Sequence, residues 1–406
     1  MRICFYNPQV VSEFGVTLFS LVFEESAIRR LTGRFNFLLE ILRDKRYEAA
    51  IVVDGTATSI PISNLLAFLN NRYFLRFFSF FEIYFWCLVN GINPFKIKIL
   101  FSLKKLDSKN DILFGFAFIG GTFFDDAMTE RSFFKNFEGK KVLHASHYFE
   151  QTKKIAGNVK KTNTKLMIAE ANLKNSDYFN KYFGFIDSVG ILPFRLRNRY
   201  VSKRDFLDRK NKCVALGTFW LFQEGDAHSA DHFAHFKVNT LHPMRKVIVD
   251  NRKKISHVLD SFIGILQAVP KRSKAYRILK LLASIFKPIR RDYYRFDIVD
   301  TYNSYRMFVA PEENIGLPSV NSVEGMACGC AYLGLDSPMY ADFGFKRGVH
   351  YIAYNGTLED LVKKIEYYQA RPDELEKIAA AGRQFVVEQF QEKQVIDNFL
   401  KTMETL

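Results

Sequence analysis

A run of hydroxyl, amide and carboxylate side chains follows a Gly-Leu-Pro turn late in the chain: Gly316-Leu317-Pro318-Ser319-Val320-Asn321-Ser322-Val323-Glu324. Pro318 ends the preceding extended run and Ser319 opens a helix. Ser319, Asn321 and Ser322 are placed to cap free amides, with Glu324 about one turn in. The free N–H groups and the positive end of the helix dipole converge on one spot, which suits a diphosphate. A carboxylate one turn further on suits the two hydroxyls of a ribose. Gly325, Ala327 and Gly329 are small enough to let this helix lie close against a sheet.

Other residues carry weaker signals. The segment Lys141-Val-Leu-His144-Ala-Ser-His147 ends in two histidines three apart. At the carboxyl edge of a parallel sheet they would stand beside a ligand, or they form a satisfied pair in the core. Glu170 follows another apolar run and is either a base or a cap. Gly217-Thr218 closes a strand with a tight turn that brings backbone near a phosphate. Gly120-Gly121 would shape the acceptor side of a cleft. Asp125 and Asp126, being neighbours, point apart and do not suit a shared ion. His228, His232 and His235, with Asp231 between them, have the spacing of metal ligands on one helical face. Gly225 and Ser229 beside them favour an acceptor loop instead.

The string Glu324-Gly-Met-Ala-Cys-Gly329 after Gly316-Leu317-Pro318 resembles the donor motif of the group 1 glycosyltransferases of the GT-B fold, two glutamates separated by seven residues. The resemblance covers residues 296–350. It implies an α/β protein with two Rossmann-like domains facing a central cleft. It also implies a nucleotide-sugar co-substrate and a glycan or lipid-linked acceptor in surface polysaccharide assembly. Glu324 would hold the ribose. Gly316 stands where the sugar-side glutamate is expected, so Glu313 or Glu312 would take that place through a longer loop. The resemblance further implies a histidine at an N-domain strand end touching the sugar, His147 or His144. Lys237 and Arg245 would neutralise the diphosphate in place of a metal, so no cofactor is expected. Retention or inversion at the sugar is left open. The rival reading is a catalytically inactive GT-B scaffold that binds glycan or a partner at the membrane.

The elements that must position these residues follow from patterning. A length of 406 residues suits two domains. Short apolar runs at Ile3–Tyr6, Ala49–Val53, Ile112–Ile119 and Lys141–His144 alternate with helical stretches, the spacing of a doubly wound sheet. Expected boundaries are a first domain at 1–192, a basic linker at 193–212, a nucleotide-binding domain at 213–382 opening on Cys213–Thr218, and a helix at 383–406 crossing back. Five cysteines without a Cys-x-x-Cys spacing suggest neither zinc nor a disulfide framework and fit a reducing cytoplasm. The first residues lack the basic and apolar regions of a signal peptide.

A net charge of +15 implies an acidic partner. Nucleic acid is not expected, because no base-stacking or groove-reading motif accompanies the charge. Residues 72–105 are aromatic and flanked by cations, but Arg76 and Glu82 leave too short a run to span a bilayer. They suit an interfacial helix or a buried one. Lys271–Arg295 carries nine Lys or Arg and one acid around an apolar stripe, which suits a helix on anionic lipid or one docked on the domain. Together these imply a cytoplasmic protein on the inner face of the membrane. The oligomeric state has no sequence signature.

Overall fold

The computed structural model describes residues 1–6, 41, 47–53, 80, 84, 88, 93–115, 123, 126–145, 148, 151–221, 230–267 and 296–405. His147, Gly120, Gly121, His228, the segment 271–295 and most of 72–105 lie outside them.

The first domain is a seven-stranded parallel sheet in the order β3-β2-β1-β4-β5-β6-β7. Its strands are β1 (Arg2–Tyr6), β2 (Glu48–Val52), β3 (Lys98–Leu100), β4 (Asp111–Gly115), β5 (Lys140–His144), β6 (Leu166–Ala169) and β7 (Ser188–Ile191). Sequences such as Ile-Cys-Phe-Tyr and Ile-Leu-Phe are apolar without alternation because both faces of a parallel sheet are covered. At the amino edge Arg2 Nε donates to Asp111 Oδ1 at 2.8 Å, tying β1 to β4. The helix α1 (Thr152–Lys161) returns from β5 to β6 and buries Ile155, Ala156 and Val159. A second helix, α2 (Asp177–Phe183), precedes β7.

The second domain is a five-stranded parallel sheet in the order β10-β8-β12-β13-β14. It is formed by β8 (Lys210–Ala215), β10 (Leu259–Ser261), β12 (Tyr305–Val309), β13 (Ala331–Leu335) and β14 (Ile352–Tyr354). A two-stranded ribbon, β9 (Thr218–Leu221) with β11 (Gly264–Gln267), extends it. Helices α3 (Ala230–Phe236) and α4 (Pro243–Asp250) follow β9. α5 (Val320–Ala327) joins β12 to β13, and α6 (Leu358–Gln369) and α7 (Pro372–Gln389) follow β14. β8 begins at Lys210, so the last residues of the expected linker already belong to the sheet.

The last helix, α8 (Glu392–Thr405), returns to the first domain. Its Ile396, Phe399, Leu400 and Met403 are buried with Ile3, Phe5, Ile112 and Phe114 of the first sheet. Val386 and Phe390, by contrast, stay in the core of the second domain, so the crossing falls at 390–392 and not at 383. The strand order reverses between β8 and β12. A crevice at such a point, beyond the carboxyl ends of the strands, is where open α/β sheets bind ligands.

Candidate functional site

Two loops frame that crevice: Leu216-Gly217-Thr218 after β8 and Ala310–Ser319 after β12. Gly217 has a φ of +130°, which a side chain would strain. A Cβ there would come within 2.9 Å of the Arg245 guanidinium. That guanidinium is buried. Its Nε donates to the Pro311 carbonyl at 2.8 Å and its Nη1 to the Thr218 carbonyl at 2.7 Å. Arg245 therefore fixes the two loops to each other. Lys237 follows α3 in a left-handed conformation, φ +53°, and is exposed.

The loop after β12 is anchored from below. Glu312 is 6% exposed, and its Oε1 accepts from the Tyr332 hydroxyl and the Leu335 N–H, each at 3.0 Å, and from the Tyr340 hydroxyl. Burial pushes its carboxyl above the usual carboxylate range, against the pull of these donors. Glu312 is thus committed to the fold, and of the two adjacent acids only Glu313 faces the cleft. Glu313 Oε1 lies 3.7 Å from His242 Nε2. His242 is buried ahead of α4, where burial first and the Arg245 charge second push it down to about 2, so the ring is neutral. On the first-domain side, Tyr148 is buried. Its hydroxyl is raised by that burial, with the charges of Glu313 and Glu170 adding to the effect. His144 ends β5 half-buried, and Glu170 lies half-buried just after β6.

Gly316 takes φ +74° and lets the loop turn against Ser337. Ile315 joins the core of the first domain, and Leu317 packs against both cores, so the turn is an apolar wedge between the domains. α5 then starts as its sequence demands. Ser319 is the N-cap, its hydroxyl accepting from the Asn321 N–H at 3.2 Å, and Ser322 Oγ donates to the Ser319 carbonyl at 2.7 Å. A Cβ on Gly325 would meet the Phe308 ring at 2.3 Å, which shows how closely α5 lies on β12.

Glu324, one turn into α5, is 5% exposed. Burial raises its carboxyl, while the Tyr200 hydroxyl and the charges of Arg197 and Arg199 act in the opposite sense. Arg199 Nη2 in turn donates to the Tyr200 hydroxyl at 2.5 Å. The cations nearest to the key carboxylate thus come from the interdomain linker, 193–200. Sequence reading missed this set, as it missed His242. Its only local signals were the basic run Arg195, Arg197, Arg199 and the Pro243 that marks the start of α4.

α3 bridges the domains although it belongs by sequence to the second. The rings of His232 and His235 stand edge-on to Tyr178 of α2 at 5.3 and 5.1 Å, and Asp231 Oδ2 accepts the Lys153 N–H at 3.0 Å. His232 Nε2 lies 3.2 Å from Asn314 Nδ2, and Asn314 Nδ2 also donates to the Thr240 carbonyl at 2.9 Å. These two histidines are thereby engaged in packing α3 on the first domain. Among the described residues no three His, Cys, Asp or Glu side chains come together as a metal site. Among the same residues no helix is long and apolar enough to cross a membrane.

Residues 276–401 match the family described as glycosyl transferase-like. Among solved structures, the chain is similar to Anabaena HepE in complex with UDP and glucose, at 13% identity and a TM-score of 0.51 with both chains covered in full. It is also similar to sucrose-phosphate synthase from Thermosynechococcus elongatus, at 11% identity and a TM-score of 0.52, covering all of this chain and 98% of that one. These likenesses give the fold, which is GT-B. No curated protein matches the chain by sequence.

Proposed function

We propose that this GT-B chain is a metal-independent glycosyltransferase that moves a sugar from a nucleotide-sugar donor to a glycan or lipid-linked acceptor on the cytoplasmic side of a membrane. The observation that carries the reading is the start of α5 at the switch point of the second sheet, with Glu324 one turn inside it and positive-φ turns at Gly217 and Gly316 shaping the two loops beside it. In this reading the positive end of α5 and the linker arginines Arg197 and Arg199 face the diphosphate, and Glu324 exchanges the Tyr200 hydroxyl for the ribose. Glu313, beside the neutral ring of His242, takes the sugar side. An acceptor hydroxyl attacks the anomeric carbon, the bond to the diphosphate oxygen breaks, and the nucleoside diphosphate leaves with the electron pair. Positive charge and helix amides are what this departure needs. His144 at the end of β5, Glu170 just after β6 and, from the sequence, His147 are the groups from which a sugar contact or a base would come.

UDP is the first nucleotide to test, because HepE was solved with it. UDP, GDP, CMP and dTDP are compared by thermal shift on wild type and on Glu324→Ala. A ligand at one hundred times its dissociation constant adds about 2.7 kcal/mol of stability. Stabilisation by one nucleotide, abolished in the variant, is expected. No shift with any of the four would favour an inactive scaffold, the reading suggested by Gly316 in place of a glutamate.

A further inference from the structure

The first domain carries a basic furrow with no part in holding the donor. α1 begins beside Tyr148 at the cleft and runs back along β5 and β6 to the amino edge of the sheet. Its outer side is Lys153, Lys154, Lys160 and Lys161, all exposed. Two cavities flank it. One, of 580 Å³, is lined by Lys153, Lys154 and Lys161 with Asp126 and Asp231. The other, of 430 Å³, is lined by Lys135, Lys140, Lys141, Lys161 and Lys165 with Glu138. Lys161 lines both, so the two cavities adjoin along α1.

Seven lysines thus meet three carboxylates in the walls. Two of the three are already engaged, Asp126 Oδ1 with Lys161 Nζ at 2.8 Å and Asp231 with the Lys153 N–H. Lys141 Nζ donates to the Thr162 carbonyl at the end of α1, at 2.5 Å. Glu130 and Asp187 pair with Lys135 and Lys165 from outside, so seven lysines face five carboxylates and the furrow keeps a net positive charge. A helix of this length spans about 15 Å, long enough for several repeats of a polymer and too long for one phosphate. The walls hold no exposed large apolar side chain. A membrane-docking face needs such groups to enter the lipid.

We infer that this furrow is a track for an extended anionic acceptor, a chain bearing a phosphate or carboxylate on its repeats, whose end reaches the cleft beside Tyr148. The inference rests on the glycosyltransferase reading for the word acceptor; the anion site itself does not. Binding of inorganic polyphosphate and of oligogalacturonate, each at several chain lengths, is measured by calorimetry beside phosphatidylglycerol vesicles. The proteins are wild type and the exposed-lysine variants Lys154→Glu and Lys165→Glu, one at each end of the furrow. Affinity is expected to rise with chain length and to fall about tenfold in each variant at low salt, with the nucleotide thermal shift unchanged. Binding independent of length, binding indifferent to both variants, or vesicle binding that the variants abolish would each overturn the track. A missing nucleotide shift with length-dependent oligomer binding intact would instead sink the transferase reading alone.

Discussion

Two adjacent acids, Glu312 and Glu313, show how one position of difference sets a residue's role. Glu312 points down between β12 and β13, where one carboxylate oxygen collects two tyrosine hydroxyls and a backbone amide. Glu312→Gln keeps the shape and an acceptor while removing a buried charge, so stability at neutral pH is expected to change by less than about 1 kcal/mol. Glu312→Ala strands three donors and opens a cavity, an expected loss of about 3 kcal/mol in urea unfolding. His232 supplies the pH dependence. Burial, with the His235 charge, lowers it from 6.5 to about 4. The folded state therefore favours the neutral ring. The stability it contributes is present above pH 6.5 and is lost as the pH falls towards 4, about 2 kcal/mol of it by pH 5. Raised carboxyls at Glu312 and Glu324 have the opposite sign, being stabilising at low pH and losing that contribution as the pH rises. Wild type is therefore compared with His232→Gln. Between pH 7 and 5 the wild type should lose about 2 kcal/mol more than the variant, and parallel curves would remove His232 from the account.

At the scale of elements, the approach of α5 to β12 is the contact on which the donor site depends. Phe308 fills the space where a side chain on Gly325 would go. Gly325→Ala is expected to push the helix off the sheet, costing about 1–3 kcal/mol, and to weaken nucleotide binding because Glu324 and the N-terminal amides move with it. Unaltered melting and an unaltered nucleotide shift would refute this. The same helix marks what the sequence could reveal. Its cap at Ser319, the depth of Glu324 and the small residues beneath it are local, encoded within ten residues, and were readable. So were β1, β4 and β5, whose unbroken apolar runs follow from burial on both faces. What was not readable is long-range. Nothing near Tyr200 says that its hydroxyl will sit at Glu324. Nothing in the spacing of His232 and His235, which resembles a metal site, says that both rings will pack on Tyr178. Arg245 was singled out for its charge, but its neighbours in the fold, two backbone carbonyls, leave no sequence mark.

Across the whole molecule, α8 joins distant parts of the chain: residues 396–403 complete the core under a sheet that has residues 2–6 as an inner strand. Ile396, Phe399, Leu400 and Met403 are each at most 5% exposed, and the Phe399 ring lies 5.3 Å from that of Phe114. Burying four such side chains is worth about 8 kcal/mol. That is comparable to the net stability of about 5–15 kcal/mol of a whole domain. The first domain should therefore not stay folded without the last helix, whereas the second, whose core ends at Phe390, should. In a chain ending at residue 390, hydrogen exchange is expected to lose protection throughout β1, β4 and β5 and to keep it in β8, β12 and β13. Phe399→Ala grades the same effect at about 3–5 kcal/mol. Protection lost equally from both sheets would mean that the domains fold as one unit through the wedge of Ile315 and Leu317. Protection kept in both would mean that α8 is only a cover. The expected pattern has a consequence for the cleft. Its two walls are then separately stable bodies joined by the linker, α3 and α8, and nucleotide binding can bring Glu313 towards Tyr148 by moving one body against the other without unfolding either.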